Sequence, residues 1–242
     1  KATVRILGGL ANQMHCYAFG RAYSIIHDVP LYLDVTTGFK KDIFGREYLL
    51  GSFENLNEII HEVSPTINIE RIKKLLPSTM NNYIYEADRG YYYQHETLLR
   101  KHRFNPCFVG YWSSYRYIDD IKSIIQNDLK PTLHTNTDEV NEVLESINNN
   151  NSCFIHYRSY EEDPGSKRYL DSYYTNAIRL MKDKFSNLKF FIFSDSAIQA
   201  RTFFKSLDDN FFYVDLDISK GNYGSLIDFY LMYKCKHSII GN

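Results

Sequence analysis

The sequence has no excess of charge of either sign. Its 28 Lys and Arg residues nearly balance its 29 Asp and Glu residues, which gives a formal net charge of −1. Proteins that bind nucleic acid through its phosphates generally carry a basic field or stripe. Nucleic acid is therefore not an expected partner.

Cysteine is scarce and widely spaced. The four cysteines include no C-x-x-C pair and no spacing typical of metal ligands. Three of them lie in apolar runs, where a free cysteine behaves as a small hydrophobic residue. This pattern favours a reducing compartment and predicts no structural metal. The four are Cys16, Cys107, Cys153 and Cys235.

Long apolar runs are also absent. No stretch approaches the length of a membrane span, and residues 1–5 lack the apolar core of a signal peptide. The interpretation that follows is a protein of the cytoplasm with no transmembrane segment. A peripheral contact with a membrane stays open.

The sequence does contain an alternation of apolar strands and amphipathic helices. Residues 3–7 read as a strand, 8–12 as a glycine-rich turn, 13–27 as a helix and 31–33 as a second strand. This order is typical of a βαβ unit and hence of a parallel sheet. We therefore predict an α/β protein.

A polar stretch at residues 130–137 is the best candidate for a domain boundary, which gives domains 1–132 and 133–242. The chain ends on a strand with no closing helix, so we expect a further segment after Asn242. Further strands are predicted at residues 83–86, 106–112, 153–155, 188–193, 211–214 and 237–240. Further helices are predicted at residues 55–63, 69–76, 113–125, 137–147, 170–185, 195–206 and 225–235.

A short apolar run within residues 152–163 ends abruptly in charge. His156, Arg158 and Glu161 are the candidate catalytic residues, and they lie at or after the carboxyl end of this strand, where ligands bind in open α/β sheets. An arginine there can hold a phosphate in bidentate fashion, and Glu161 or a neighbouring carboxylate can serve as a base. The alternatives are a solvated ion pair for Arg158 and a core histidine, hydrogen-bonded to the backbone, for His156.

The glycine-rich turn is a second candidate site. Gly8 and Gly9 permit close approach of the backbone to a ligand, and the amides that follow can accept an anion. The dinucleotide fingerprint needs glycines at its first, third and sixth positions, which here are Gly8, Leu10 and Gln13. An ordinary NAD site is thus disfavoured. The alternative is a plain βα turn capped by Asn12.

Two acidic segments are further candidate binding sites. Ser194 and Asp195 follow a predicted strand, where a carboxylate can accept hydrogen bonds from a base or ribose, although a helix N-cap explains Asp195 equally well. Asp215 and Asp217 have the D-x-D spacing by which some glycosyltransferases hold a divalent ion. That spacing is frequent by chance, so we favour no metal there.

Together these motifs resemble the α-1,2-fucosyltransferases. The family's opening motif, G-G-L-G-N-Q-M-F-Q-Y-A-F-G-R-A, is similar to residues 8–22, G-G-L-A-N-Q-M-H-C-Y-A-F-G-R-A. Its H-V-R-R-G-D resembles residues 156–161, H-Y-R-S-Y-E, and its F-x-F-S-D matches residues 191–195. Residues 110–118 and 228–240 resemble two further family motifs. The matches occur in the family's order and span nearly the whole chain.

The resemblance implies a GT-B-like architecture with two facing Rossmann-like domains, an acceptor side at 1–132 and a donor-nucleotide side at 133–242. Arg158 would hold the β-phosphate of GDP, and Ser194 and Asp195 would help to bind the nucleotide. The opening motif, through Gly9, Asn12 and Gln13, would approach the donor from the first domain.

The implied reaction is inverting, metal-independent transfer of L-fucose from GDP-fucose to the 2-hydroxyl of a galactoside in a glycan. The partners would be a GDP-sugar and a galactose-containing acceptor, with no cofactor. The second arginine of the family motif is Ser159 here, its glycine is Tyr160 and its aspartate is Glu161. These departures motivate an alternative, a nucleotide-sugar or glycan-binding protein with little or no transferase turnover.

Overall fold

The computed structural model describes residues 1–64, 82–86, 98–133, 137–159, 171–207, 211–216 and 223–241. The chain divides into two compact units, Lys1–Thr132 and Leu133–Asn242. Each unit contains one parallel β-sheet, so the predicted α/β class with two parallel sheets is confirmed. The acceptor and donor roles assigned to the two halves stay predictions.

The first unit has a five-stranded sheet with the strand order β3-β2-β1-β5-β4. Each described pairing in it is parallel. Helix α1 follows β1, and α2 lies near the end of the unit. The elements are β1 (Ala2–Arg5), α1 (Leu10–His27), β2 (Leu31–Asp34), β3 (Ile60–Val63), β4 (Tyr83–Tyr85), β5 (Cys107–Val109) and α2 (Lys122–Asp128).

One helix prediction in this unit is wrong, and another lies outside the described residues. Residues 55–63 form a 3-10 turn, Glu54–Leu56, and then β3. Strand β3 pairs in parallel with β2. The hydrogen bonds between these strands satisfy the backbone groups that a helix would have paired locally. The predicted helix at residues 69–76 is not among the described residues.

The helix predicted from Ser113 begins later than expected. Two 3-10 turns, Tyr115–Tyr117 and Asp119–Ile121, precede α2, which starts only at Lys122. The residue at the start of the first turn is Ser114, and its side chain makes no capping hydrogen bond. Without a side-chain cap, the backbone enters the α-helix through tighter turns.

The second unit has a four-stranded parallel sheet with the order β8-β7-β6-β9. The predicted strands and helices of this half are confirmed, with small changes at their ends. Helix α3 begins after Thr137, whose hydroxyl accepts a hydrogen bond from the Val140 amide. The elements are α3 (Asp138–Asn148), β6 (Asn151–Tyr157), α4 (Asp171–Lys184), β7 (Leu188–Ser194), α5 (Ala197–Phe204), β8 (Phe211–Tyr213), α6 (Gly224–Lys234) and β9 (His237–Ile240).

Strand β7 shows why this sheet is buried on both faces. Phe190 and Ile192 pack in one apolar cluster, whereas Phe191 and Phe193 pack in the other. Successive side chains of a strand point to opposite faces, so a continuous apolar run serves two cores at once.

A buried polar cluster joins α1 to α2 in the first unit. The Tyr17 hydroxyl donates to Asp128 Oδ2 at 2.7 Å, and Arg21 Nε lies 3.2 Å from the same oxygen. Asp128 is 3% exposed. Burial is the largest cause that raises the pKa of Tyr17, and its hydrogen bond to Asp128 raises it further.

We expect Asp128→Ala to destabilise the first unit by about 1–3 kcal/mol, because Tyr17 and Arg21 lose their shared acceptor inside the protein. Urea unfolding followed by the fluorescence of Trp112, the single tryptophan, measures this unit. The exposed Asp120→Ala is the control and should change stability by less than about 0.5 kcal/mol. Equal effects of the two substitutions would contradict the role of the cluster.

Candidate functional site

The strand order of the second sheet reverses between β6 and β9. The chain runs from β6 to β7 to β8 in one direction, and then places β9 on the other side of β6. The helix after β6, α4, and the helix before β9, α6, pack in the two different apolar clusters of this sheet, and at such a reversal ligands bind beyond the carboxyl ends of the strands. Arg158 follows β6 at this position.

Asp195 fixes the segment that leaves β6. Its Oδ1 accepts a hydrogen bond from the Ser159 amide at 2.7 Å, and its Oδ2 lies 3.4 Å from Arg158 Nε. Asp195 directly follows β7, which pairs with β6 in register Tyr157↔Ser194. The parallel pairing therefore brings together residues from two separate motifs.

The Arg158–Asp195 pair contributes little to stability. The Arg158 side chain is 41% exposed, and such ion pairs stabilise a protein by about 0–1 kcal/mol. A partly exposed guanidinium, oriented by a carboxylate at the switch point of a sheet, is instead suited to binding an anionic ligand. The carboxylates that follow Arg158 lie outside the described residues, so a solvated ion pair with them stays a prediction beside the observed pair with Asp195.

Ser159 and Ser194 have different surroundings. Ser159 is buried, and among the described residues its hydroxyl has no hydrogen-bond partner. The Ser194 hydroxyl donates to the Ser196 carbonyl and accepts from the Ser196 amide. Ser196 is the N-cap of α5, so the capping alternative for Asp195 is wrong. Asp195 is turned toward β6 instead.

His156 lies on β6 near its carboxyl end. Burial is the largest cause that lowers its pKa to about 4, Arg158 lowers it further, and Asp195 opposes the change. Its carbonyl oxygen accepts a hydrogen bond from the Tyr174 hydroxyl at 3.3 Å. His156 is thus neutral near pH 7 and carries no charge for a phosphate. Its predicted catalytic role stays a prediction.

The other acidic candidates contribute no described geometry to this site. Glu161, the predicted base, lies outside the described residues, as does Asp217. Asp215 pairs with Arg201 at 3.7 Å. Within the described ranges, no group of three or more His, Cys, Asp or Glu side chains could hold a metal ion.

The first sheet has a corresponding reversal between β1 and β5. The glycine-rich turn follows β1, with Gly8 at φ 77°, a conformation that favours glycine. Gly9 is the N-cap, and α1 begins at Leu10 rather than Gln13, so Asn12 lies inside the helix and is not its cap. A Cβ at Gly8 would lie 2.8 Å from Asn12 Nδ2.

Gln13 holds the glycine-rich turn from inside. It is 0% exposed, and its Nε2 donates to the carbonyls of Gly8 and Glu47 at 2.9 and 2.8 Å. Its Oε1 accepts from the Leu49 amide at 2.9 Å. Both amide protons are used within the protein. We therefore expect Gln13 to shape the turn, whereas Gly9 and the half-buried Asn12 are closer to solvent.

Glu86, which follows β4, is a site residue that the sequence did not predict. Its carboxylate accepts hydrogen bonds from the Tyr111 and Trp112 amides at 2.6 and 2.9 Å. A Cβ at Gly110 would lie 2.3 Å from the Glu86 Cβ, so only glycine allows this approach. Residues 110–118 were noted as a motif, but nothing in the sequence pattern links them to a carboxylate 25 positions earlier.

Among the described residues, no helix is both long enough and apolar enough to cross a membrane. All four cysteines are free thiols, and Cys16, Cys107 and Cys153 are buried. Burial raises the pKa of Cys16 and of Cys153 to about 12. The cytoplasmic location stays a prediction.

The chain is similar to known proteins in sequence and in fold. No family model matches the chain. A curated protein, the alpha-1,2-colitosyltransferase of Escherichia coli, is 26% identical over 253 residues, which cover 98% of this chain and 82% of that protein.

Solved structures show the fold. The fucosyltransferase NodZ from Bradyrhizobium matches with a TM-score of 0.52 at 15% identity, over 98% of this chain and 86% of NodZ. NodZ alpha-1,6-fucosyltransferase soaked with GDP-fucose gives 0.52 at 14% identity, over 98% and 87%. A mutant of FUT1 from Arabidopsis thaliana in complex with GDP gives 0.51 at 14%, over 98% and 65%. The predicted GT-B-like fold class is confirmed.

The lowered pKa of His156 predicts a stability change with pH. The folded-state pKa of about 4 is below the ordinary 6.5, so the unfolded chain binds more protons between these values. We expect the second unit to lose stability as the pH falls from 6.5 toward 4, with no contribution from His156 to the pH dependence above that range.

Urea unfolding of the wild type and His156→Gln at pH 7 and pH 5, followed by far-UV circular dichroism, measures this effect. The variant has no titrating ring and should lose less stability than the wild type on acidification. A parallel loss in both proteins would contradict the assignment.

Proposed function

We propose that this chain is a glycosyltransferase that uses a GDP-linked sugar as donor. The observation that carries the proposal is Arg158, oriented by Asp195 at the switch point of the second sheet. The similarity to a colitosyltransferase over nearly the whole chain supports it, as does the fold shared with fucosyltransferases.

The chemistry of the leaving group explains the role of Arg158. When the sugar departs, negative charge develops on the diphosphate, and a fixed guanidinium stabilises it without the need for a metal ion. Asp195 holds Nε of Arg158 and the amide of Ser159, so the cation is oriented before the ligand arrives. The second unit is therefore proposed as the donor-nucleotide domain.

The finer proposal is inverting, metal-independent transfer of L-fucose to the 2-hydroxyl of a galactoside. The α-1,2 linkage in the name of the colitosyltransferase supports the linkage, whereas NodZ is described as an α-1,6 enzyme. The same relative favours a second donor, because colitose is L-fucose without its 3-hydroxyl. A GDP-linked colitose is thus the second candidate.

Ser159 motivates a different class of function. The resemblance has an arginine at this position, and a serine cannot supply the same charge-assisted contact to a diphosphate. A protein that binds GDP-sugars or glycans with little or no turnover is the alternative.

A donor screen tests the proposal. Purified protein is incubated with methyl β-galactoside and, separately, with GDP-fucose, GDP-colitose, GDP-mannose or UDP-galactose, each with and without EDTA. We expect free GDP and a mass-shifted galactoside with one of the first two donors, and equal rates with chelator.

The other possible results either support the alternative function or contradict part of the proposal. GDP binding by calorimetry without product from any donor supports the binding protein. Turnover that disappears with EDTA and returns with manganese contradicts the metal-independent mechanism. Product only from UDP-galactose, or no binding of any nucleotide, contradicts the proposal itself.

Removing Arg158 tests the diphosphate contact directly. We expect Arg158→Ala to weaken GDP binding by about 1.5–3 kcal/mol, or roughly 10- to 150-fold in Kd. Asp195→Asn should weaken it in the same direction, and the double variant should bind no more weakly than Arg158→Ala, because the two residues act as one unit. Calorimetric titration with GDP measures all three.

Arg201→Ala is the matched control, because it removes the same charge from the same unit at a position that pairs with Asp215. It should leave the Kd for GDP unchanged. The ratio of the Kd values for UDP and GDP separates two roles of Asp195. If this ratio is unchanged in Asp195→Asn, the role of Asp195 is to orient Arg158. If the variant no longer prefers GDP to UDP, Asp195 recognises the base.

A further inference from the structure

The turn after β5 in the first unit is fixed by a carboxylate and by a buried indole. Glu86 accepts hydrogen bonds from two consecutive amides, those of Tyr111 and Trp112. Trp112 has φ 55°, which is uncommon for a bulky residue and persists only where the surroundings fix it. Its indole is 1% exposed and stacks on Phe19 with ring centroids 4.3 Å apart.

This rigid backbone places one partly exposed side chain at the switch point of the first sheet. The Tyr111 ring is half-buried, and its Cε1 would lie 3.1 Å from a Cβ at Gly8. Asn12 Nδ2 would lie 2.8 Å from the same Cβ. An aromatic ring and a planar amide thus flank a position that has no side chain of its own.

A pyranose has the complementary chemistry. Its C–H face is apolar and packs on an aromatic ring, while its hydroxyls need hydrogen-bonding partners at the ring edge. Galactose in particular presents a continuous apolar face to a tyrosine or tryptophan. Asn12 and Tyr111 fill the space over Gly8, so the sugar would pack on the exposed part of the Tyr111 side chain.

We propose that Tyr111 is the stacking platform for the galactoside acceptor, and that Glu86 is a positioning residue that sets the orientation of this platform. The inference rests on the proposed function for the identity of the acceptor. Glu86 acts through the Tyr111 and Trp112 amides and does not touch the sugar. Its substitution therefore affects acceptor binding, while the donor site in the second unit is unchanged.

The substitutions are Tyr111→Ala, Tyr111→Phe and Glu86→Gln. Tyr111→Ala raises the KM for methyl β-galactoside about tenfold, and Tyr111→Phe, which keeps the ring, raises it less than threefold. Glu86→Gln keeps one acceptor oxygen and gives an intermediate increase. In all three variants the KM for the donor and the Kd for GDP stay at wild-type values.

Tyr115→Ala is the matched control. Tyr115 belongs to the 3-10 turn that follows and is 66% exposed, so its removal tests the loss of a tyrosine near the same segment. It leaves the KM for the acceptor unchanged. Thermal unfolding followed by Trp112 fluorescence identifies any variant that has lost the fold of the first unit.

Direct titration with methyl β-galactoside, by ligand-observed NMR with GDP present, separates this inference from the proposed function. Galactoside binding that is lost in Tyr111→Ala supports the inference even if no transfer is seen. An unchanged KM and unchanged galactoside binding in a folded Tyr111→Ala overturn it. A loss of acceptor binding of equal size in Tyr115→Ala also overturns it, because the platform would then not be specific to Tyr111.

Discussion

Parallel pairing of the strands is the constraint on which the remaining features depend. Because each described pairing in both sheets is parallel, the carboxyl ends of neighbouring strands meet at one edge. Residues far apart in the sequence are then neighbours there. The reversals of strand order lie between β1 and β5 and between β6 and β9, and in open α/β sheets such reversals are where ligands generally bind.

Each unit uses a carboxylate from one strand exit to fix the backbone of the next. In the second unit Asp195, after β7, accepts the Ser159 amide beyond β6. In the first unit Glu86, after β4, accepts the Tyr111 and Trp112 amides beyond β5. Charge-assisted hydrogen bonds to backbone amides are short and strong, so they hold a loop where no regular pairing does. Arg158 and Tyr111 owe their orientations to these two carboxylates.

The sequence predicted the second half of the chain well, because its signals are local. The alternation within β7, the Thr137 cap of α3 and the apolar run of β6 each depend on residues near one another. The first half was harder to predict. Residues 55–63 have a helical pattern, yet pairing with β2 makes their last part a strand, because tertiary hydrogen bonds outweigh a weak local preference.

The sequence by itself determined the α/β class, the position of Arg158 at a strand exit and the glycines of the first turn. Those features follow from residue type and spacing along the chain. Only the tertiary structure decided that Asp195 pairs with Arg158 instead of capping α5. It also decided that Gln13 is buried inside the first unit and that Glu86 accepts a hydrogen bond from the Trp112 amide. The physical reason is that each of these contacts joins separate segments, and their proximity exists only after the strands have paired.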